Sequence, residues 1–158
     1  MRIGFASDIH RLVEGRRFVL AGVTIPFELG EQAHSDGDVV YHAVAESILG
    51  ALALGDLGKH FPDSDPKYKD IDSSIIVKEV VKLMKDKGFA INNIDVSITL
   101  EKPKLKDFIQ QMRSNLANSL ETNIDNVSIK AGTNEGVGPL GRNEAVKAES
   151  IVLLKEEK

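Results

Sequence analysis

The segment from Ala33 to Asp65, AHSDGDVVYHAVAESILGALALGDLGKHFPDSD, constrains this chain more than any other. It holds His34, His42 and His60 out of four histidines in the whole sequence, together with Asp36, Asp38, Glu46, Asp56, Asp63 and Asp65. Between these groups, Val39 to Leu54 is apolar enough to pack as a core helix. The fold must therefore bury a helix whose ends and flanks carry imidazoles and carboxylates. The fourth histidine belongs to a second small cluster, Asp8-Ile9-His10.

Arg2 to Ile9 reads as a strand, with Ile3, Phe5, Ser7 and Ile9 on one side and Gly4, Ala6, Asp8 and His10 on the other. Asp8 and His10 therefore face the same way. Backbone positions i and i+2 are about 7 Å apart, so their side-chain tips can converge on one point. Taken alone, Asp-x-His is more simply a solvated strand end. Ser35-Asp36-Gly37-Asp38 has the form of a helix start, a serine cap with an acid three residues later, and predicts a helix from Asp38 to Ala53. On that helix His42 and Glu46 share a face. A lone histidine there is more simply a hydrogen-bonded core residue, but the Asp8–His10 pair supplies it with partners. The chain has no cysteine, so any metal site must use histidine and carboxylate. Two histidines and one carboxylate leave the fourth tetrahedral position open, as catalytic zinc sites do. The two clusters are expected to meet around a divalent metal and a phosphorylated substrate, with His34 and Ser35 at the helix start able to bond an anion.

The remaining segments place this pair of clusters in a fold. Arg17 to Ile25 reads as a β segment and hairpin arm. Gly55 to Pro66 is a loop by its Gly and Pro content, and its aspartates are either turn formers or hands for the hydroxyls of a polyol. A helix capped by Asp72 or Ser73 is expected to run to Lys87, with Gly88 as its stop. Ile94 to Leu100 alternates as a strand. Leu105, Phe108, Ile109, Met112, Leu116 and Leu120 form the best amphipathic stripe, read as core. Lys102, Lys104 and Lys106 either meet a phosphate or form a solvated loop and first turn. Val127 to Ala131 and Ala145 to Leu154 are further strands. The connection Gly132 to Arg142 contains G-x-G-x-x-G at Gly136, Gly138 and Gly141. A dinucleotide reading fails, because a strand pattern rather than a helix follows and too little chain remains for the rest of that unit. Thr133 and Glu135 offer a hydroxyl and a carboxylate suited to phosphate and a hard metal ion.

These elements predict one α/β domain over residues 1–158, an α+β sandwich with a mixed four- to five-stranded sheet and helices packed on one face. A net charge of −4 argues against a nucleic-acid binder. MRIGFASDIH has neither a signal core nor a transit-type segment, and no run is long enough to span a membrane. The expectation is a cytoplasmic protein, or one of an organelle stroma after processing.

RIG followed by D-x-H-R at Asp8 to Arg11, AHSDGDVVYHA at 33–43, LGDLGKHFPDSDP at 54–66, KPKL at 102–105, and K-x-x-T-x-E with a later GR at 130–142 closely resemble the 2-C-methyl-D-erythritol 2,4-cyclodiphosphate synthase family. The resemblance runs in order over nearly the whole chain. It implies an enzyme of the non-mevalonate isoprenoid pathway, a phosphorus–oxygen lyase. The 2-phosphate of 4-diphosphocytidyl-2-C-methyl-D-erythritol 2-phosphate attacks the β-phosphorus, closes the cyclodiphosphate and expels CMP. Asp8, His10 and His42 match the zinc ligands, and Glu135 matches the ligand of a second ion, magnesium or manganese. His34 and Thr133 match the residues credited with transition-state stabilisation. Ser35, Asp56, Leu57, Gly58, Phe61, Asp63 and Asp65 match the erythritol and phosphate pocket. Leu100, Lys102, Pro103, Lys104 and Lys106, with Ala131, Gly132 and Thr133, match the cytidine pocket. The family forms homotrimers with active sites between subunits, and Arg142 matches a position near the trimer axis.

The chain departs from the family pattern at Ala6, where glycine is usual, at Gly132, where a threonine hydroxyl is usual, and at Asn143 and Ala145 beside Arg142. Two other functions use the same residues. A metal-dependent phosphohydrolase would release phosphate instead of CMP. A non-catalytic trimer that binds isoprenoid diphosphates would hold ligand at Arg142 without turnover.

Overall fold

The computed structural model describes residues Met1–Lys158. Its frame is a long first strand, β1 (Arg2–Glu14), which continues past the expected end at Ile9. A hairpin of β2 (Phe18–Leu20) and β3 (Val23–Ile25) follows, then β4 (Leu29–Glu31), which returns antiparallel to the end of β1. The hairpin turn places Ala21 and Gly22 at φ of 47° and 75°. Two positive φ values match the right-handed twist of the flanking strands. Helix α1 (Val39–Ala51) comes next, with the four-residue turn α2 (Leu57–His60) and the helix α3 (Ser73–Asp86) capped by Asp72. Strand β5 (Phe89–Thr99), helix α4 (Ile109–Leu120), strand β6 (Val127–Gly132), the short turn α5 (Gly138–Gly141) and the closing strand β7 (Ala145–Glu156) complete the chain.

The five-stranded sheet has the order β4-β1-β7-β5-β6. Only β5 and β6 run parallel, so the sheet is mixed, as expected. β1 shows why the helices sit on one face. Its inward residues are Gly4 and Ala6, both small, and α1 lies directly on them: a Cβ at Gly4 would come within 1.9 Å of the Ser47 carbonyl oxygen. Ala6 is buried and lacks a positive φ, so alanine satisfies this position without strain. The bulky apolar residues of β1 point the other way. Ile3, Phe5 and Ile9 are 66%, 60% and 55% exposed, and Ile151, paired with Phe5, is 43% exposed. The outer face of the sheet is thus bare and apolar along β1.

The start of α1 differs from the capping read from the sequence. Asp38, not Ser35, is the N-cap, and its carboxylate accepts the Tyr41 N–H at 3.1 Å. The same carboxylate accepts the N–H groups of Ala21 and Gly22 at 2.9 and 2.8 Å, so one acid fixes both the hairpin turn and the helix start. The fully buried Glu31 accepts the Val39 N–H at 3.1 Å. The Val39 and Tyr41 N–H groups of the first turn are thus both taken by carboxylates of the chain itself.

Candidate metal centre and active site

Three side chains from two elements converge where β1 passes over the first turns of α1. Asp8 Oδ2 lies 3.1 Å from His10 Nε2 and 3.6 Å from His42 Nδ1, and the two nitrogens are 3.4 Å apart. Ligands on a tetrahedral zinc with bonds of 2.0–2.1 Å stand about 3.3–3.4 Å from one another. The triangle therefore fits such an ion on one face, leaving the fourth position toward solvent.

The surroundings orient both rings for this purpose. His10 donates from Nδ1 to the Gly37 carbonyl at 2.7 Å, which leaves Nε2 with its lone pair toward Asp8. Gly37 has a φ of 87°, and a Cβ there would sit 2.8 Å from Glu31 Cβ. Only glycine places that carbonyl so. His42 Nε2 lies 2.9 Å from Ser73 Oγ and 3.0 Å from Ser35 Oγ. The Ser73 hydroxyl already donates to Asp36 Oδ1 at 2.6 Å, so it accepts from His42 and fixes the proton on Nε2. His42 Nδ1 is then free as a ligand. Asp36 is held in turn by the N–H groups of Ser73 and Asp38. Two imidazole lone pairs and a carboxylate oxygen facing one another repel unless a cation lies between them.

The ionisation of these groups follows the same logic. Burial pushes Asp8 up, but hydrogen bonds and charge from His10 and His42 outweigh it and hold the carboxyl well below its usual range. Burial pushes His10 down, and the Asp8 carboxylate reverses this, raising the imidazole above its ordinary value. Burial and the nearby Asp38 charge raise Glu31 well above the usual carboxylate range. Burial also pushes Asp38 up to about 6, against the pull of its three N–H partners.

The triad forms one wall of a cavity of about 520 Å³, which also brings together His34, Ser35, Leu57, Gly58, Phe61 and Asp63. Glu46 lines it as well. Its carboxylate accepts the Leu57 N–H at 3.2 Å and so fastens the 57–61 loop to α1. No lysine or arginine lines this cavity. Asp56 and Asp65 are not among its walls, and both serve as caps, accepting the N–H groups of Lys59 and Lys67 at 3.0 Å. Each forms its turn with a single carboxylate oxygen.

A second cavity, of about 430 Å³, gathers Leu100, Pro103, Lys104, Lys106, Ala131, Gly132 and Thr133. Leu105 and Ile109 line it too, so two positions of the stripe read as core also face this space. Lys102, Glu135 and Arg142 lie outside both cavities and are exposed. Arg142 pairs with Glu144. The cavities share no residue. Register links them: Asp8, Ala148, Ile98 and Ala131 are successive partners across β1, β7, β5 and β6. Three strand spacings of about 4.8 Å separate Asp8 from Ala131 by roughly 14 Å.

Sequence reasoning missed Ser73, Asp36 and Glu31 as partners of the triad. Asp36 and Glu31 carried no signal beyond being acids near a helix start. Ser73 was seen only as a cap.

The YgbB family model matches residues 1–155. The 2-C-methyl-D-erythritol 2,4-cyclodiphosphate synthase of Brachyspira hyodysenteriae is 51% identical over 158 residues, covering 100% of each chain. Among solved structures, the bifunctional IspDF from Campylobacter jejuni matches with a TM-score of 0.94 and 41% identity, over 98% of this chain and 42% of that longer one. The CDP complex of IspF from Plasmodium falciparum matches with a TM-score of 0.87 and 30% identity, over 99% of this chain and 97% of that one. Full-length likeness in sequence and in fold, with the candidate metal triangle in place, has one reading: the chain belongs to the YgbB family, alongside the 2-C-methyl-D-erythritol 2,4-cyclodiphosphate synthases.

Proposed function

We propose that the chain is a lyase of isoprenoid synthesis that converts 4-diphosphocytidyl-2-C-methyl-D-erythritol 2-phosphate to 2-C-methyl-D-erythritol 2,4-cyclodiphosphate and CMP. An oxygen of the 2-phosphate bonds to the β-phosphorus, and the bond from that phosphorus to the oxygen it shares with the α-phosphorus breaks. CMP leaves with that oxygen and its electron pair. The observation that carries the reading is the Asp8–His10–His42 triangle, 3.1–3.6 Å on a side, in a cavity without lysine or arginine. A multiply charged phosphate enters such an acidic site only with cations to neutralise it.

Asp8, His10 and His42 would hold zinc, and Glu135 magnesium or manganese. Bound there, the ions supply charge neutralisation and Lewis-acid polarisation of phosphate oxygens. The chain's own groups position the substrate. Ser35 shares the His42 Nε2 proton with Ser73 and accepts the Gly37 N–H, which leaves its own proton for a substrate oxygen. His34, beside the Asp65 carbonyl at 3.3 Å, and Thr133 face the phosphates in this reading. Asp63, with Leu57, Gly58 and Phe61, receives the erythritol, and Lys104 and Lys106 flank the nucleotide in the second cavity.

Two features support a homotrimer with sites at its subunit junctions. The two cavities stand roughly 14 Å apart across one sheet, so each serves best as half of a site completed by a neighbour. The bare face with Ile3, Phe5, Ile9 and Ile151 calls for a partner surface. Arg142 lies near the axis of that assembly. No helix is long and apolar enough to cross a membrane, and we place the protein in the cytoplasm or a stroma.

The test is CMP release from this substrate with magnesium present, before and after chelation. CMP should appear in step with a cyclic diphosphate, stop on metal removal and return with zinc plus magnesium. Release of inorganic phosphate would favour a phosphohydrolase. Tight isoprenoid-diphosphate binding without turnover would favour a binding protein.

A further inference from the structure

Glu101 makes an arrangement that none of the steps above uses. It follows β5 directly, in the loop that walls the nucleotide-side cavity. Its Oε2 accepts the N–H of Asn134 at 3.2 Å, and its Oε1 accepts the N–H of Gly136 at 3.1 Å. These two donors lie on either side of Glu135. One carboxylate therefore grips the backbone before and after the residue read as the second-cation ligand.

The gripped segment is not one that the chain adopts freely. Glu135 has a φ of 53°, in the left-handed region where a residue with a Cβ is strained. Gly136 and Gly138 follow at 69° and 68°, and a Cβ on Gly141 would lie 2.1 Å from the Gly136 carbonyl carbon, so the turn closes tightly on itself. Thr133 Oγ1 accepts the Glu135 N–H at 3.2 Å, and the Asn134 side chain donates to the Val137 carbonyl at 2.8 Å. Across the gap, Leu100 N–H bonds the Gly132 carbonyl at 2.9 Å and Lys102 N–H bonds the Asn143 side chain at 3.0 Å. Residues 100–102 thus act as a strap along the whole loop, with Glu101 at its centre. Two donors pointing at two oxygens suit a carboxylate, whereas an amide has only one acceptor oxygen.

We propose that Glu101 is the positioning residue for Glu135, so that the loop forming the nucleotide-side cavity also sets the second-cation site. The inference rests on Glu135 being that cation's ligand. Glu101 touches neither substrate nor ion. It fixes where the Glu135 carboxylate stands.

The test measures manganese binding to the zinc-loaded protein with CDP present, by loss of the free-ion spin-resonance signal, alongside the manganese dependence of CMP release. Glu101→Ala and Glu101→Gln should each raise the manganese dissociation constant and the half-saturating concentration about tenfold, the scale on which outer-shell partners act. Excess manganese should restore turnover, while zinc content and melting temperature stay near wild type. The glutamine variant preserves side-chain volume and keeps the test valid if the alanine variant folds poorly. Unchanged manganese binding in both variants overturns the proposal. Glu135→Gln separates the two layers. If it raises the manganese requirement and the Glu101 variants do not, only the positioning role fails; if it also leaves manganese binding unchanged, the ligand reading fails and takes this inference with it.

Discussion

At the level of single residues, the centre is a problem of proton placement. Ser73 is fully buried, and its one hydroxyl proton goes to Asp36, which obliges it to accept from His42 Nε2. Ser73→Ala removes only that oxygen. The backbone N–H of residue 73 still reaches Asp36, and Asp72 still caps α3. Zinc affinity, read by competition with a chromogenic chelator, should fall about 10–100-fold while the melting temperature moves little. The acid limb of zinc binding is set by His10, whose imidazole is raised by Asp8. Below that raised pKa zinc must displace at least the His10 proton, so apparent affinity should climb at least about tenfold per pH unit and then level off above it. The metal-free protein should show the complementary trend. The raised His10 stabilises the fold fully below its unfolded value of 6.5 and loses that contribution as pH rises through its folded pKa. The depressed Asp8 contributes above its unfolded value of 3.8 and loses it as pH falls through its folded pKa. Thermal melts of the chelated protein should therefore be most favoured by this pair between those two values. The Asp-x-His spacing and the helical His42 were legible because strand and helix periodicity fix which way side chains point. The Asp36–Ser73 relay was not, since it joins residues 37 positions apart through a contact that no local pattern encodes.

At the level of elements, the seat of α1 on β1 decides which face of the sheet is covered. The alternation along β1 was plain in the sequence, as were α3, β5 and the stripe on α4. The choice of face was not, because it turns on Gly4 and Ala6 rather than on the bulky residues of the strand. Gly4→Ala puts a methyl group 1.9 Å from a helix carbonyl, where backbone has to yield. The melt of this variant should show a loss of about 1–3 kcal/mol or more. It should also lose zinc affinity, since Asp8 and His42 ride on the two elements being pushed apart. Gly132 is the opposite case. It has no positive φ and open space where a Cβ would go. Gly132→Thr should fold normally and melt slightly higher, as a β-branched residue at a strand end gains over glycine. It returns a hydroxyl to the mouth of the second cavity, and CDP titration of the variant should show affinity equal to or tighter than that of the parent chain.

At the level of the whole molecule, the register of the sheet separates two jobs that one substrate needs done together. The candidate metal triad lies at the β1 end, and the second cavity, proposed for the nucleotide, lies at the β6 end, with two strands between them. In the proposed trimer, the second cavity of a neighbour completes the site at the first chain's triad. Phe5 and Ile151 are register partners at the centre of that face, and both are exposed in the single chain. Phe5→Asp should leave the isolated fold intact, because its side chain is mostly exposed in the single chain, but it should put a charge into the junction. Light scattering should then show monomer in place of trimer. CMP release should fall by orders of magnitude, while zinc stoichiometry stays at one per chain, because the triad is built within a single subunit. A monomeric Phe5→Asp variant with full activity would show that both cavities of one chain serve the same substrate, and the subunit-junction site would have to be abandoned.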